Sequence, residues 1–255
     1  MCVTSLQTEA MTDSLRACKL LFIWQFHRFK RFLPMIVVIQ VALAFGIVYG
    51  LAFLIPHIDS TTALYLATGA PTVALLLMGL TVVPQEVSQG KLTGRFEYLS
   101  ALPIPRLATL ATDVFFWLAA QLPGTALALI VAAMRFHFGL RIGWTIVPTI
   151  LLVAFSGASV GYGIAMLLQP QVSMQLTSFI SIGILLFSPI NFPMERLPSA
   201  LQAIHRVLPV KYMGDLVRWS LSGKATGSIG VAFSVVAGWC ALGLLTSYRL
   251  ATRRR

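Results

Sequence analysis

The chain has 255 residues, of which 57% are hydrophobic and only 11% are charged. Soluble domains are about 45–50% apolar and about 25% charged, so this composition excludes an ordinary soluble domain. The chain nevertheless carries 19 Lys and Arg residues against 8 Asp and Glu residues, a formal net charge of +11. Such a chain is either a membrane protein with cationic loops or a nucleic-acid-binding protein, and the positions of the bases decide between these classes.

The first predicted element is an amphipathic helix over residues 14–33. Its apolar residues recur at alternating steps of three and four, and its bases gather elsewhere on the helix. This pattern is typical of a helix that lies flat on the inner leaflet, with basic side chains drawn to anionic lipid. The alternative is a simple cytoplasmic flank of the first span. The apolar positions are Leu15, Cys18, Phe22, Phe26, Phe29 and Leu33.

Six later stretches are long and apolar enough to cross a bilayer, which takes about 20 residues of helix. We therefore predict an all-α polytopic membrane protein whose residues 1–255 form a single transmembrane domain with six transmembrane helices. The long charge-free stretch after residue 141 divides at Gln169-Pro170-Gln171. The six spans lie near residues 33–55, 63–83, 108–134, 144–168, 172–192 and 229–248.

Small residues and prolines inside the spans predict local packing and bends. The pairs Gly46/Gly50 and Gly157/Gly161 would allow two helices to approach closely, although such pairs also occur by chance. Three prolines are expected to kink their spans, since proline removes a helical hydrogen bond. They are Pro71, Pro123 and Pro148.

The basic residues set the predicted orientation. With both termini in the cytoplasm, 12 Lys and Arg residues flank the inner side and seven lie outside, as the positive-inside rule favours. Five of the outer seven lie in residues 193–228, which we interpret as a re-entrant helix pair between spans 5 and 6. The bases form no continuous patch, which excludes nucleic acid as a partner. We expect a multi-pass protein of the plasma (inner) membrane of a bacterium.

No catalytic motif occurs in the sequence, and its four histidines are too scattered to predict a metal site. Asp113 is the one acidic candidate inside a span, and we interpret it as an interfacial residue favoured by the start of its helix. Gln40, Gln121 and Tyr162 lie deeper and are candidates for a substrate path, although hydrogen bonds between helices explain them equally well. Uphill transport would therefore require energy from another polypeptide.

The loop between spans 2 and 3, residues 86–106, reads EVSQGKLTGRFEYLSALPIPR. It resembles the cytoplasmic loop of ABC-2 type permeases, the membrane subunits of ABC exporters, with Arg95 in place of the usual threonine. A second resemblance follows span 5, carried by Pro193, Leu197-Pro198, Leu208-Pro209, Tyr212, Asp215 and Arg218. The matching loop positions are Glu86, Gly94, Phe96, Glu97, Leu99, Pro103 and Arg106.

This resemblance implies a permease without its own ATPase activity that exports a substrate. Two permeases, identical or paralogous, would form the path, and each would dock a separate ABC ATP-binding subunit that holds the ATP and Mg²⁺. The loop helix would fit a groove on that subunit, with Glu86, Arg95, Glu97 and Arg106 as polar contacts. The chain itself would need no cofactor. The alternatives are a six-span secondary transporter or channel without an ATPase partner, and an intramembrane enzyme or assembly factor.

Overall fold

In the computed structural model, the described backbone covers residues 2–54, 59–102, 104, 106–136, 144–223 and 227–253. The description leaves out the side chains of residues 2–15, 51, 54, 100, 106, 107, 110 and 251–253. Within this part of the chain every regular element is helical, so the all-α prediction is confirmed.

We number the helices of the described residues α1 to α10 and count each continuous run once. Two of them contain a π-helical turn, Gly46–Leu51 in α2 and Met78–Val82 in α3. A 3₁₀ turn, Met194–Arg196, precedes α8. The helices are α1 (Cys2–Phe29), α2 (Leu33–Phe45, continued to Leu54), α3 (Ser60–Leu77, continued to Leu92), α4 (Arg95–Ala101), α5 (Arg106–Phe136), α6 (Ile146–Leu167), α7 (Pro170–Phe187), α8 (Ser199–Val207), α9 (Pro209–Ser222) and α10 (Ile229–Arg253).

Six of these helices, α2, α3, α5, α6, α7 and α10, are long and apolar enough to cross a membrane, which confirms the predicted number of spans. The chain is therefore a multi-pass membrane protein. Helix α3 extends past the predicted end of the second span near residue 83, as far as Leu92, so the helix is longer than the predicted span. Hydropathy ends the span early because Glu86 and Lys91 are charged. Both side chains contact neighbouring helices.

The centre of the bundle is a close contact between α3 and α6. A Cβ atom on Gly79 would lie 2.5 Å from the carbonyl carbon of Gly157, so only glycine fits there. Gly161 faces the same turn of α3, which confirms the close approach predicted for the Gly157/Gly161 pair. Gly46 and Gly50 have no such neighbour within the described residues. Among the described residues, no helix approaches the Gly46/Gly50 pair as closely as α3 approaches Gly157 and Gly161.

The prolines occupy different positions in their helices. Pro71 and Pro123 lie inside α3 and α5, as predicted. Pro148 is the third residue of α6, where a helix has no bond to lose, so the prediction of a kink there is wrong. The π-helical turn of α3 ends one residue before Val83-Pro84. Because Pro84 cannot donate a helical hydrogen bond, a local change of helical pitch at this point has a physical cause.

Helix α1 packs along α5 through aromatic side chains. The ring centroids of Phe29 and Trp117 lie 5.1 Å apart, and those of Phe22 and Phe116 lie 5.7 Å apart. Phe26, which the sequence pattern places on the same face, is 47% exposed. The contact face of α1 is thus narrower than the predicted apolar stripe.

At the opposite end of the bundle, residues 188–222 cover the beginning of α3. The helices α8 and α9 meet at Leu208, within the segment where the sequence predicts a helix pair. Arg218 of α9 is fully buried, and its guanidinium carbon lies 3.7 Å from the centre of the Tyr65 ring of α3. Tyr65 and Lys91 are near the two ends of α3, so α9 and α4 lie at opposite ends of the bundle.

Candidate functional site: the α4 end of the bundle

The predicted coupling residues occupy one end of the bundle. Glu86 is on the last turns of α3, and Gly94 separates α3 from the short helix α4. Arg95, Phe96, Glu97 and Leu99 all belong to α4. Pro103 lies outside the described residues, and so does the side chain of Arg106, which is the first residue of α5.

Gly94 forms the joint between α3 and α4. Its backbone is left-handed, with φ 71° and ψ 9°, a conformation that costs other residues roughly 1–2 kcal/mol. At the end of α3, the Thr93 amide donates a hydrogen bond to the Gln89 carbonyl at 2.9 Å. At the start of α4, the Tyr98 amide donates one to the Gly94 carbonyl, also at 2.9 Å. Only Thr93 and Gly94 separate the two helices, so the glycine fixes the direction of α4.

Helix α4 has an inner and an outer side. Phe96 packs against the cluster that includes Phe29, Val87 and Trp117, and Leu99 is buried. Tyr98 on the other side is 65% exposed, and Glu97 is also exposed. A short helix with a packed inner side and an exposed polar outer side can present the same surface to a partner without unfolding.

Arg95 points inward instead of toward the surface. Its side chain is 9% exposed, and its Nη2 atom lies 3.8 Å from Oδ2 of Asp113 on α5. The guanidinium lies over Gly90, where an added Cβ would be 2.8 Å from the Arg95 Nε atom. The guanidinium is therefore turned into the bundle toward the buried carboxylate of Asp113, and the predicted contact of Arg95 with an ATPase subunit stays a prediction.

Asp113 is the centre of a buried polar group. Its side chain is 4% exposed, and it lies two turns into α5 instead of at the first turn as expected. Gln25 of α1 donates a hydrogen bond to Oδ1, and the Tyr162 hydroxyl of α6 donates one to Oδ2 at 3.3 Å. We call Gln25, Arg95, Asp113 and Tyr162 the Asp113 cluster. Its four residues belong to four different helices.

A second ion pair lies beside this cluster and is more accessible to solvent. Arg28 of α1 and Glu86 of α3 are 3.6 Å apart, with side-chain exposures of 34% and 25%. The Arg28 guanidinium also lies 4.8 Å from the centre of the Phe29 ring. Partial burial, and then the positive charge of Arg95, lower the pKa of Arg28, while Glu86 and Asp113 oppose that shift. All four charges therefore influence one another.

Lys91 joins α3 to the end of α6. Its ammonium group donates to the carbonyl oxygens of Met166 at 3.2 Å and Leu168 at 3.1 Å, and also to that of Ala165. A lysine at the C-terminal end of a helix satisfies carbonyl groups that have no helical partner, and it complements the helix dipole. Sequence reasoning missed this contact, as it missed Gln25, because both depend on which helix ends meet.

The predicted substrate-path residues do not share one cavity. Gln40 lines a mostly apolar cavity of about 390 Å³ between α2, α3 and α7, and it packs against Gly124 of α5. Tyr162 lines a separate cavity of about 290 Å³ between α5, α6 and α10. Gln121 is buried within the bundle. Within the described part of the chain, neither amide atom of Gln40 has a hydrogen-bond partner.

The described residues contain no group of three metal-ligating side chains that could hold an ion. Their notable chemistry is electrostatic: a buried and a half-exposed ion pair where α1, α3, α4, α5 and α6 meet. Comparison with known proteins gives one match and one negative result. The family model for the ABC-2 type transporter matches residues 16–221, and no curated protein matches the chain.

Proposed function

Because this chain belongs to the ABC-2 type transporter family, we propose that it is a permease that exports a substrate with energy from a separate ABC ATPase subunit. Membership makes it a membrane subunit of an ABC-type transporter. The export direction, the ATPase subunit and the second permease copy that would complete the path are parts of the proposal. ATP and Mg²⁺ would bind to the partner subunit.

The observation that carries the proposal is the build of α4. It is short, it is fixed in direction by Gly94, and it exposes Glu97 and Tyr98 at one end of the six spans. The half-exposed Arg28 and Glu86 lie at the same end and add charges of both signs. Electrostatic complementarity of this kind favours correct docking of a charged partner. This end would be cytoplasmic, and both termini would then be cytoplasmic as well.

The cavity beside Gln40 supports an amphipathic or hydrophobic cargo. Its lining is mostly apolar, and it includes Gln40 together with the hydroxyl groups of Thr81, Ser178 and Ser181. Binding sites for small molecules commonly combine an apolar lining with a few polar groups that orient the ligand. The hydroxyl groups of Thr81, Ser178 and Ser181 would supply such groups, whereas the amide of Gln40 is buried against Gly124 of α5.

The test is assembly with an ATPase. The purified chain alone should hydrolyse no ATP, whereas co-expression with an ABC ATP-binding subunit should give a stable complex. Reversing the charges of the loop, Glu97→Lys with Arg106→Glu, should reduce the yield of that complex in a pull-down while leaving membrane insertion intact.

The matched control is Glu195→Lys with Arg196→Glu, a pair of charge reversals on exposed residues at the opposite end of the bundle. It should leave the yield unchanged. ATP hydrolysis by the chain alone would contradict the proposed function. Equal yields from the loop variant and the control would show instead that α4 is not the docking element.

A further inference from the structure

We propose that Arg95 and Asp113 form an internal coupling pair, through which a displacement of α4 is transmitted to α1, α5 and α6. The proposal rests on the proposed function and deepens it. Arg95 is then a positioning residue that acts inside the permease, and the exposed residues of α4 remain the contacts for the ATPase.

The two charges of this pair come from different parts of the molecule. Asp113 is buried near the start of a spanning helix, and a buried ionised carboxylate without a partner is costly. Its cationic partner comes from outside the spans, since Arg95 is the first residue of α4. Any movement that carries α4 away from the bundle removes the counter-ion of a buried carboxylate. Movement of α4 therefore changes the energy of the bundle interior.

The carboxylate of Asp113 also accepts hydrogen bonds from two other helices. Gln25 ties it to α1 and Tyr162 ties it to α6, at 3.3 Å for the hydroxyl. Double-mutant studies of such shared networks generally show that their members are not independent. When Arg95 withdraws, these two donors become the remaining partners of the charge. Helices α1 and α6 thus respond to a movement of α4 through Asp113, without a direct contact to Arg95 in this cluster.

Gly90 of α3 lies directly against the side chain of Arg95. A Cβ on Gly90 would lie 2.8 Å from Nε and 3.0 Å from Nη2 of Arg95, and 2.9 Å from Phe96. Glycine therefore leaves the space through which the guanidinium reaches Asp113. This gives a way to displace Arg95 without changing any charge. Because the atoms in the way belong to the side chains of Arg95 and Phe96 and not to the backbone, Gly90→Ala should displace both side chains and leave α3 folded.

The experiment measures hydrogen exchange of the full chain in lipid nanodiscs. In Arg95→Gln, the Tyr98 amide of α4 and the amides around Gln25 in α1 should both exchange about fivefold faster or more. Gly90→Ala should have the same effect, and Arg95→Lys should restore part of the protection because it keeps the positive charge. The control Gly238→Ala introduces the same methyl group at a position with open space.

Asp113→Asn separates the charge from the hydrogen bonds. The asparagine keeps one oxygen that can accept from Gln25, while its NH₂ group replaces the oxygen that faces Tyr162, and it carries no charge to attract Arg95. Helix α4 should therefore lose protection more than α1 does. Unchanged exchange in both Arg95→Gln and Asp113→Asn would overturn the proposal. So would a loss of protection confined to α4 in Arg95→Gln, since it would show a local brace without transmission.

The second measurement uses the complex with the ATPase, trapped with ATP and orthovanadate. In the parent complex, trapping should alter exchange in α4, around Gln25 and around Tyr162. In Arg95→Gln the complex should still form, but only α4 should respond. Equal responses of α1 and α6 in the variant and the parent would overturn the coupling role. If no ATPase bound to the parent chain, the proposed function would fail, and exchange in the chain alone would still decide whether Arg95 ties α4 to α1.

Discussion

Each end of this bundle buries an arginine, but the two arginines are held differently. At the α9 end, Arg218 donates to Asp215 of its own helix at 2.8 Å and to the Ile190 carbonyl at 2.9 Å, and it stacks on Tyr65. Its side chain is completely buried. At the α4 end, Arg95 reaches Asp113 of another helix at 3.8 Å, with no closer contact to that carboxylate described.

The difference indicates two mechanical roles. The partners of Arg218 include an acid three residues earlier on the same helix, which moves with it, so that contact survives any rigid movement of α9. Arg95 and Asp113 belong to helices with a bend between them, so their contact depends on where α4 lies. We infer that the α9 end is a fixed brace and that the α4 end is the part of the bundle able to change its ion pairing.

The largest effect is expected from breaking the fixed brace. Arg218→Met should lower the free energy of unfolding by about 3–5 kcal/mol, because removing one partner from a buried ion pair leaves polar groups uncompensated. The Ile190 carbonyl and Asp215 both lose a donor. The measurement is the unfolding midpoint in mixed micelles, followed by tryptophan fluorescence. Arg206→Met, on α8 and with no buried ion pair described, serves as the control and should change the midpoint little.

If Arg95→Gln destabilised the chain as much as Arg218→Met does, the contrast between a fixed and a movable end would be wrong. A smaller loss is expected for Arg95→Gln, since Asp113 keeps Gln25 and Tyr162 as hydrogen-bond donors.

The sequence predicts local features of the bundle better than contacts between its helices. Apolar runs predict the six spans because hydrophobicity along one helix is a local property, and the loop pattern predicts the segment that forms α4. Asp113 was expected at a helix end, where a charge is cheap, and Arg95 at the surface. Asp113 does lie near the start of its span, but it is buried beside Arg95, because hydropathy counts a charge as a cost without knowing its partner. Whether Arg95 contacts an ATPase subunit stays a prediction. The partners here are 18 residues apart along the chain and meet only after α4 and α5 fold together.

A smaller effect should come from two glycines that share one backbone conformation. Gly94 at the α4 end and Gly223 after α9 both have φ 71°. Replacing either by alanine should cost about 1–2 kcal/mol, since a Cβ is unfavourable in the left-handed region. The stability losses should therefore be similar, as measured by unfolding in mixed micelles.

The two variants should differ in assembly. Gly94→Ala redirects α4 and should reduce the yield of complex with the ATPase, whereas Gly223→Ala should not. Gly94→Asn provides a check, because asparagine tolerates this conformation better than alanine. It should recover part of the yield. A loss of assembly in Gly223→Ala equal to that in Gly94→Ala would mean that general destabilisation, and not the direction of α4, controls docking.

The smallest effect on stability is expected at the half-exposed pair of Arg28 and Glu86. Water screens both side chains, so Arg28→Gln should change the free energy of unfolding by about 1 kcal/mol or less.

The main effect of Arg28→Gln should instead be on the hydrogen exchange of α4. Arg28 and Arg95 repel each other, as the lowered pKa of Arg28 reflects after burial, and removing Arg28 leaves Glu86 as a second acid near Arg95. Arg95 can then pair with either Asp113 or Glu86. Arg28→Gln should therefore accelerate exchange at Tyr98 with little change in the unfolding midpoint. Unaltered exchange in that variant would show that the two pairs act independently and that only Asp113 governs the position of Arg95.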